Sequence, residues 1–147
     1  MKEVDINQVA KNLSTLLPTL DRKLIRPFEQ QARHLVSPLA IHVMSILSEK
    51  HSFTMTELAE EIKIAKPQLT PIIDKLIASN WVCREQDCKD RRIVKIKITS
   101  SGSELLDNLQ KDIISSIKTK IEGLDKEDLF LLDKALNQLY TVINKIF

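Results

Sequence analysis

Two groups of polar side chains in the middle of the chain have the types and spacing to handle a polyanion. The first is the run Asp87-Cys88-Lys89-Asp90-Arg91-Arg92, extended by Lys95 and Lys97. Guanidinium groups match phosphate geometry and respond to the negative potential of a narrow nucleic-acid groove. Asp90 has no direct use against a polyanion, so its expected role is to accept a hydrogen bond from a guanidinium and fix its direction. The second group is Lys66, Gln68, Thr70 and Lys75, set against an apolar series of Leu69, Ile72, Ile73, Leu76 and Ile77. That series repeats at i, i+3, i+4, i+7 and i+8, a single buried helical stripe, which leaves the four polar residues free. At a base edge glutamine can bond adenine, lysine can bond guanine or a phosphate, and threonine can touch a thymine methyl or a phosphate.

Other chemistries are weakly represented. Cys83 and Cys88 lie five apart and lack the paired spacing of a zinc site, so a reduced, intracellular protein is the simplest expectation. Cys83 reads as a small core residue, while Cys88 sits among cations that lower a thiol pKa, which makes an oxidant sensor a rival reading. His34, His42 and His51 do not share a helix face at metal-ligating spacing. No Gly-rich phosphate loop and no Ser-His-Asp arrangement is recognisable, so neither an enzyme nor a metal or cofactor is expected.

The elements that position these residues follow from local signals. Apolar residues at Ile6, Val9, Leu13, Leu16, Leu17, Leu20 and Leu24 predict a helix from Asp5 to about Arg33, with a kink or break caused by Pro18 and Pro27. Ser37-Pro38 starts a helix over about 38–50 that buries Leu39, Val43, Ile46 and Leu47. Thr54 and Glu57 form a capping box for a short helix burying Leu58 and Ile62. A turn at Lys63-Ile64-Ala65 leads to the helix of the second polar group, which Asn80 ends in a left-handed conformation. Strands at 81–85 and 93–98 flank the basic run and make it the tip of a hairpin. After Thr99-Ser100-Ser101-Gly102-Ser103, a long helix to about Glu122 turns Leu105, Leu109, Ile113, Ile117 and Ile121 inward. The last helix, from Asp125, carries Leu129, Leu132, Leu136, Leu139, Ile143 and Ile146 at alternating steps of three and four, the seam of a helix lying along a partner helix.

A short capped helix, a tight turn, a second amphipathic helix and a basic hairpin compose a winged helix-turn-helix. The fold expected is mainly α with a small β-hairpin wing. Residues 35–102 form the winged helix-turn-helix, and residues 1–34 with 103–147 form a helical dimerisation domain. The run Asn80-Trp81-Val82-Cys83-Arg84, the tip Asp87 to Arg92 and the sequence Ile98-Thr99-Ser100-Ser101-Gly102 resemble the core of the multiple-antibiotic-resistance regulator (MarR) family. That family's pattern of Asp-x-Arg, five residues, then Leu-Thr is met by Asp90, Arg92, Ile98 and Thr99 with one conservative change. The chain departs from the family at Ala65, where a Ser N-cap is common, at Asn80, which replaces a usual Gly, and at Pro71 inside the second helix.

The resemblance implies a homodimeric transcription regulator, a repressor more often than an activator, acting on a pseudo-palindromic operator in double-stranded DNA. Lys66, Gln68, Thr70 and Lys75 would face the major groove, and Lys89, Asp90, Arg91 and Arg92 would form the wing, with Arg92 in the minor groove. Leu13, Leu129, Leu132, Leu136, Leu139, Ile143 and Ile146 would form the dimer contact. A small anionic aromatic effector would meet Arg33, His34 and His42 in a crevice beside the dimerisation helices. A winged-helix module that binds proteins and does not read DNA is the remaining rival.

Composition agrees with this organisation. With 43% hydrophobic residues, 4% aromatics and only two glycines, the chain can bury a core of Leu, Ile and Val and favours long helices over a turn-rich all-β fold. The net charge of +2 is modest, yet residues 63–97 hold nine basic and four acidic side chains. That segment is therefore at +5 and the flanks together at −3, which concentrates the field where a polyanion would dock. No apolar run approaches the length of a membrane span and no leader is evident, so a cytoplasmic location without membrane contact is expected.

Overall fold

The computed structural model describes residues 4–27, 30 and 36–146. Its contacts fall into two units, Met1–Lys111 and Asp112–Phe147, divided within one long helix.

In the first unit α1, Ile6–Leu20, is N-capped by Asp5, whose carboxylate accepts the Asn7 N–H at 2.9 Å. Pro18 lies inside it, and a π-helical turn at Asp21–Ile25 follows directly. The break expected between the two prolines thus takes the form of a wider turn, in which the Arg26 N–H reaches back five residues to the Asp21 carbonyl.

The next helix, α2, Pro38–Lys50, starts as its sequence indicates, with Ser37 Oγ accepting the Ala40 N–H at 3.3 Å. Its buried face is Ala40, Val43, Met44 and Leu47. Leu39, expected inside, is exposed, and Ile46 is only partly buried. Apolar residues stand on both sides of this stripe, so spacing alone left its phase open by one position. Helix α3, Met55–Ile62, has the expected capping box. Thr54 Oγ1 accepts the Glu57 N–H at 3.2 Å, and Glu57 Oε2 accepts the Thr54 N–H at 2.7 Å. The second of these bonds holds the Glu57 carboxyl below its ordinary range. Lys63, at φ 61°, turns the chain into α4, Lys66–Ala78, and Asn80, at φ 59°, turns it out again.

Strands β1, Val82–Gln86, and β2, Val94–Ile98, pair antiparallel from Val82↔Ile98 to Gln86↔Val94. Phe53, just before α3, adds a bridge to Ile96 through hydrogen bonds in both directions, a pairing that no sequence signal announced. Val43, Met44, Leu47, Leu58, Leu69, Ile73, Leu76, Val82 and Ile96 are the fully buried centre, drawn from all three helices and both strands.

Helix α5, Ser100–Ile121, begins inside the stretch that the sequence marked as a break. Thr99 is the reason. Its Oγ1 accepts the Gly102 N–H at 3.1 Å and donates to the Asn80 carbonyl at 2.6 Å, while its own N–H bonds the Trp81 carbonyl at 3.0 Å. Gly102 is buried at this junction, and a Cβ there would lie 2.1 Å from the Trp81 carbonyl oxygen and 2.8 Å from Ile98 Cγ1. Of the inward series expected on α5, Leu109 is buried, and Leu105, Ile113, Ile117 and Ile121 are partly so.

In the second unit, α6, Lys126–Ile143, is N-capped by Asp125, which accepts the Asp128 N–H at 2.8 Å. Ile146, expected on the helical seam, lies beyond the helix end. Leu132, Leu139 and Ile143 are partly buried, whereas Leu129, Leu136 and Ile146 are exposed.

The Gly102 contact has a measurable consequence. Ala is ordinarily a better helix residue than Gly by about 1 kcal/mol, but a Cβ here collides with backbone that α4 and β1 hold in place. Gly102→Ala is expected to destabilise the protein by about 1–3 kcal/mol, as overpacking does, in urea unfolding. Equal or greater stability would refute the close approach.

Candidate nucleic-acid interface

The start of α4 is capped in an unusual way. Ala65 occupies the N-cap and has no side-chain oxygen, and the only capping side chain is that of Gln68, whose Oε1 accepts the Ala65 N–H at 3.2 Å. Lys66 is exposed and its Nζ donates to Thr56 Oγ1 of α3 at 3.3 Å. Thr70 is partly buried, with its hydroxyl on the Lys66 carbonyl at 3.0 Å. Lys75 lines a cleft with Val36, Ala40, Pro71, Ile72 and Trp81. The four polar residues therefore do not form one face. At about 100° per residue, Lys66 and Thr70 fall on the flank toward α3 and Gln68 and Lys75 on the other, with Pro67 and Pro71 between them. Pro71 is accommodated within a continuous helix. The Asp74 carboxylate pairs with the Arg84 guanidinium at 2.8 Å and ties α4 to β1.

At the wing tip the organising residue is Asp87, which the sequence reading did not single out. Its Oδ1 accepts the N–H groups of Lys89 at 2.8 Å and Asp90 at 3.3 Å, and its Oδ2 pairs with Lys95 Nζ at 2.8 Å. The Lys95 ammonium, then those two backbone donors, hold the Asp87 carboxyl down to about 2. The turn is closed by the Asp87 N–H on the Ile93 carbonyl at 2.9 Å and the Ile93 N–H on the Asp90 carbonyl at 3.0 Å.

Asp90 differs from its expected role. Its Oδ1 accepts the backbone N–H of Arg92 at 2.9 Å, and it makes no ion pair with a guanidinium among the described residues. A short carboxylate bonds a backbone N–H two residues ahead more readily than it reaches a flexible Arg head, so Asp90 orients the Arg92 backbone. The expected cationic ridge is also narrower. Lys95 is paired with Asp87 and Lys97 with Glu85, diagonally across the outer face of the hairpin, and both ammonium groups are held above their ordinary range. Lys89, Arg91 and Arg92 are exposed and have no ion pair among the described residues. The pairing leaves three cations at the end of the wing.

Among the described residues, the remaining candidates do not assemble into a second site. Cys83 is partly buried opposite Lys97, Cys88 is exposed, and both are free thiols. Of the effector residues proposed from sequence, His42 is exposed on α2, and Arg33 and His34 lie outside the described residues. Among the described residues, no group of three or more His, Cys, Asp or Glu could hold a metal ion, and no helix is long and apolar enough to cross a membrane.

The model of the MarR family matches residues 36–94, which run from just before α2 to the first residue of β2 and include the wing tip. Over that segment the chain is similar to the MarR family. Its relatives include the HTH-type transcriptional regulator YpoP of Bacillus subtilis (strain 168), 25% identical over 104 residues that cover 71% of this chain and 74% of that protein. The HTH-type transcriptional repressor MdtR of the same organism is 25% identical over 104 residues, 69% and 65% of the two chains. Among solved structures, the fold is similar to that of a MarR family protein from Bacillus stearothermophilus. The TM-score is 0.74 at 16% identity, over 96% of this chain and 99% of that one. It is similar also to a variant of MepR from S. aureus bound to an oligodeoxyribonucleotide. There the TM-score is 0.71 at 17% identity, over 89% and 97% of the chains. The relatives that it matches are HTH-type transcriptional regulators.

The Asp87 network predicts how the wing responds to acid. A carboxyl depressed from 3.8 to about 2 contributes stability that is fully present above the unfolded value and is lost as pH falls through the folded one. Carboxyl-carbon NMR of Asp87 is expected to titrate near 2, with the Lys89 and Asp90 amides losing their hydrogen-bonded shifts in the same window. Lys95→Met is expected to move that midpoint upward. A midpoint near 4 in the folded wild type would show that the tip is not organised by Asp87.

Proposed function

We propose that the chain is a homodimeric repressor that reads a pseudo-palindromic operator, with α4 in the major groove and the wing tip in the adjacent minor groove. The observation that carries this reading is the selective pairing of charge on the hairpin. Lys95 and Lys97 are neutralised by neighbours, while Lys89, Arg91 and Arg92 stay free at the end of a turn braced by Asp87 and Asp90. A protein-binding surface has no need of three unpaired cations on a rigid tip, whereas a narrow minor groove attracts them. The DNA-bound structure of the similarly folded MepR variant supports the same assignment. Residues 35–102 are the DNA-binding part, and residues 1–34 with 103–147 are the dimerisation part. Release by a small anionic aromatic bound near Arg33, His34 and His42, and action in the cytoplasm where the operator lies, belong to the same proposal.

Dimerisation is supported by apolar surface. In the single chain Ile6, Leu17, Phe130, Leu131, Leu136 and Tyr140 are each more than half exposed. A monomer rarely leaves so many large apolar helix residues in water. Because Leu136 is 55% exposed within one chain, Leu136→Glu is expected to leave the chain folded and to dissociate the dimer. Sedimentation and circular dichroism together check this. A folded wild-type monomer at micromolar concentration would refute the dimer.

DNA binding itself is expected to weaken steeply with salt, since each phosphate contact releases a condensed counterion. A dimer engaging roughly six phosphates loses on the order of a thousandfold in affinity between about 50 and 200 mM salt. Fluorescence anisotropy with a selected operator duplex measures it. A nearly flat profile would favour the protein-interaction module.

A further inference from the structure

If α4 lies in the major groove, as just proposed, the state of Gln68 decides which base edges it can bond. The Ala65 N–H is held by the Gln68 side chain at 3.2 Å, and only the oxygen of an amide can accept an N–H. The amide is therefore oriented by its partner, with Oε1 turned to the helix start and Nε2 left without a hydrogen bond among the described residues. Ala65 offers no side-chain acceptor to the first-turn N–H groups, so the bond to Gln68 is the only side-chain capping contact at this helix start among the described residues. Gln68 is exposed, on the flank of α4 opposite Lys66.

We propose that Gln68 is a specificity-determining residue that reads DNA only as a donor. Its Nε2 bonds an acceptor in the major groove, guanine O6 or N7, thymine O4 or adenine N7, and it discriminates against cytosine, whose edge presents the N4 donor. The two-bond contact with adenine expected of a free glutamine would require Oε1 to accept from the adenine N6 amino group, and that oxygen is committed to Ala65. The helix cap and the base preference are thus set by the same side chain.

The test begins with selection of bound duplexes from a random pool by wild type and by Gln68→Ala, which locates the base pair that Gln68 contacts. Gln68→Glu keeps the capping oxygen and replaces the outward donor by a second acceptor. It is expected to retain the wild-type melting temperature and to shift preference at that base pair to cytosine by tenfold or more. Placing purine for adenine at the same position, which removes the N6 amino group, is expected to change wild-type affinity less than twofold. A loss of tenfold or more with purine would overturn donor-only reading in favour of the two-bond contact. Unchanged preference in Gln68→Glu would show that Gln68 reads no base. If wild type enriches no sequence at all, the operator-binding reading fails first, so the two failures are distinguishable.

Discussion

The contact on which the winged-helix unit depends is the approach of Gly102 to the Trp81 carbonyl. At that point the end of α4, the root of the wing and the start of α5 meet within one hydrogen-bonded knot. The Thr99 hydroxyl bridges the Asn80 carbonyl and the Gly102 N–H, Ser101 Oγ adds a second donor to Asn80 at 3.1 Å, and no room remains for a Cβ at 102. The direction in which the wing leaves α4 is set there, because Asn80 in its left-handed conformation and the Trp81 N–H on the Leu76 carbonyl at 3.0 Å give the chain a single exit. The Asp74–Arg84 pair lies next along the same seam and holds β1 against α4.

From that root outward, the hairpin sorts its charges. Its inner face is apolar at Val82 and Ile96, and its outer face carries Glu85 and Asp87 diagonally across from Lys97 and Lys95. Exposed ion pairs contribute little to stability, typically below about 1 kcal/mol each. Their effect here is on geometry and on the field. They hold the strand register, and they remove two of the five cations of the hairpin tip and β2 from the outward-facing potential. What remains is a compact cationic end whose backbone is braced by two aspartates, and that arrangement lowers the entropy lost on contact with a phosphate or a groove.

The two ends of the chain pose a different physical problem. Helix α6 buries no residue, and its apolar positions occupy more of its circumference than one partner helix covers. Leu129 and Leu136 lie along one stripe, while Leu131 and Val142 lie on the opposite side of the helix. Water is a poor neighbour for such a helix, and the dimer proposed above would cover that surface.

Much of this was legible in the residues themselves. Capping at Ser37, at Thr54 with Glu57, and at Asp125, the left-handed turn at Asn80 and the hairpin between 82 and 98 are local events decided by hydrogen bonds within a few residues, and each stands where its signal placed it. The family pattern of Asp90, Arg92, Ile98 and Thr99 was legible for the same reason. The tertiary structure decided what depends on partners distant in sequence or on competition among neighbours. It chose Met44 over Leu39 for the core, brought Phe53 to β2, and required glycine at 102 because Trp81 is there. It assigned Lys95 and Lys97 to carboxylates, turned Asp90 toward backbone, and committed the Gln68 oxygen to the Ala65 N–H. A one-dimensional pattern counts charges and periods. Which donor an acceptor meets is settled only when the chain is folded and the nearest, best-aligned partner wins.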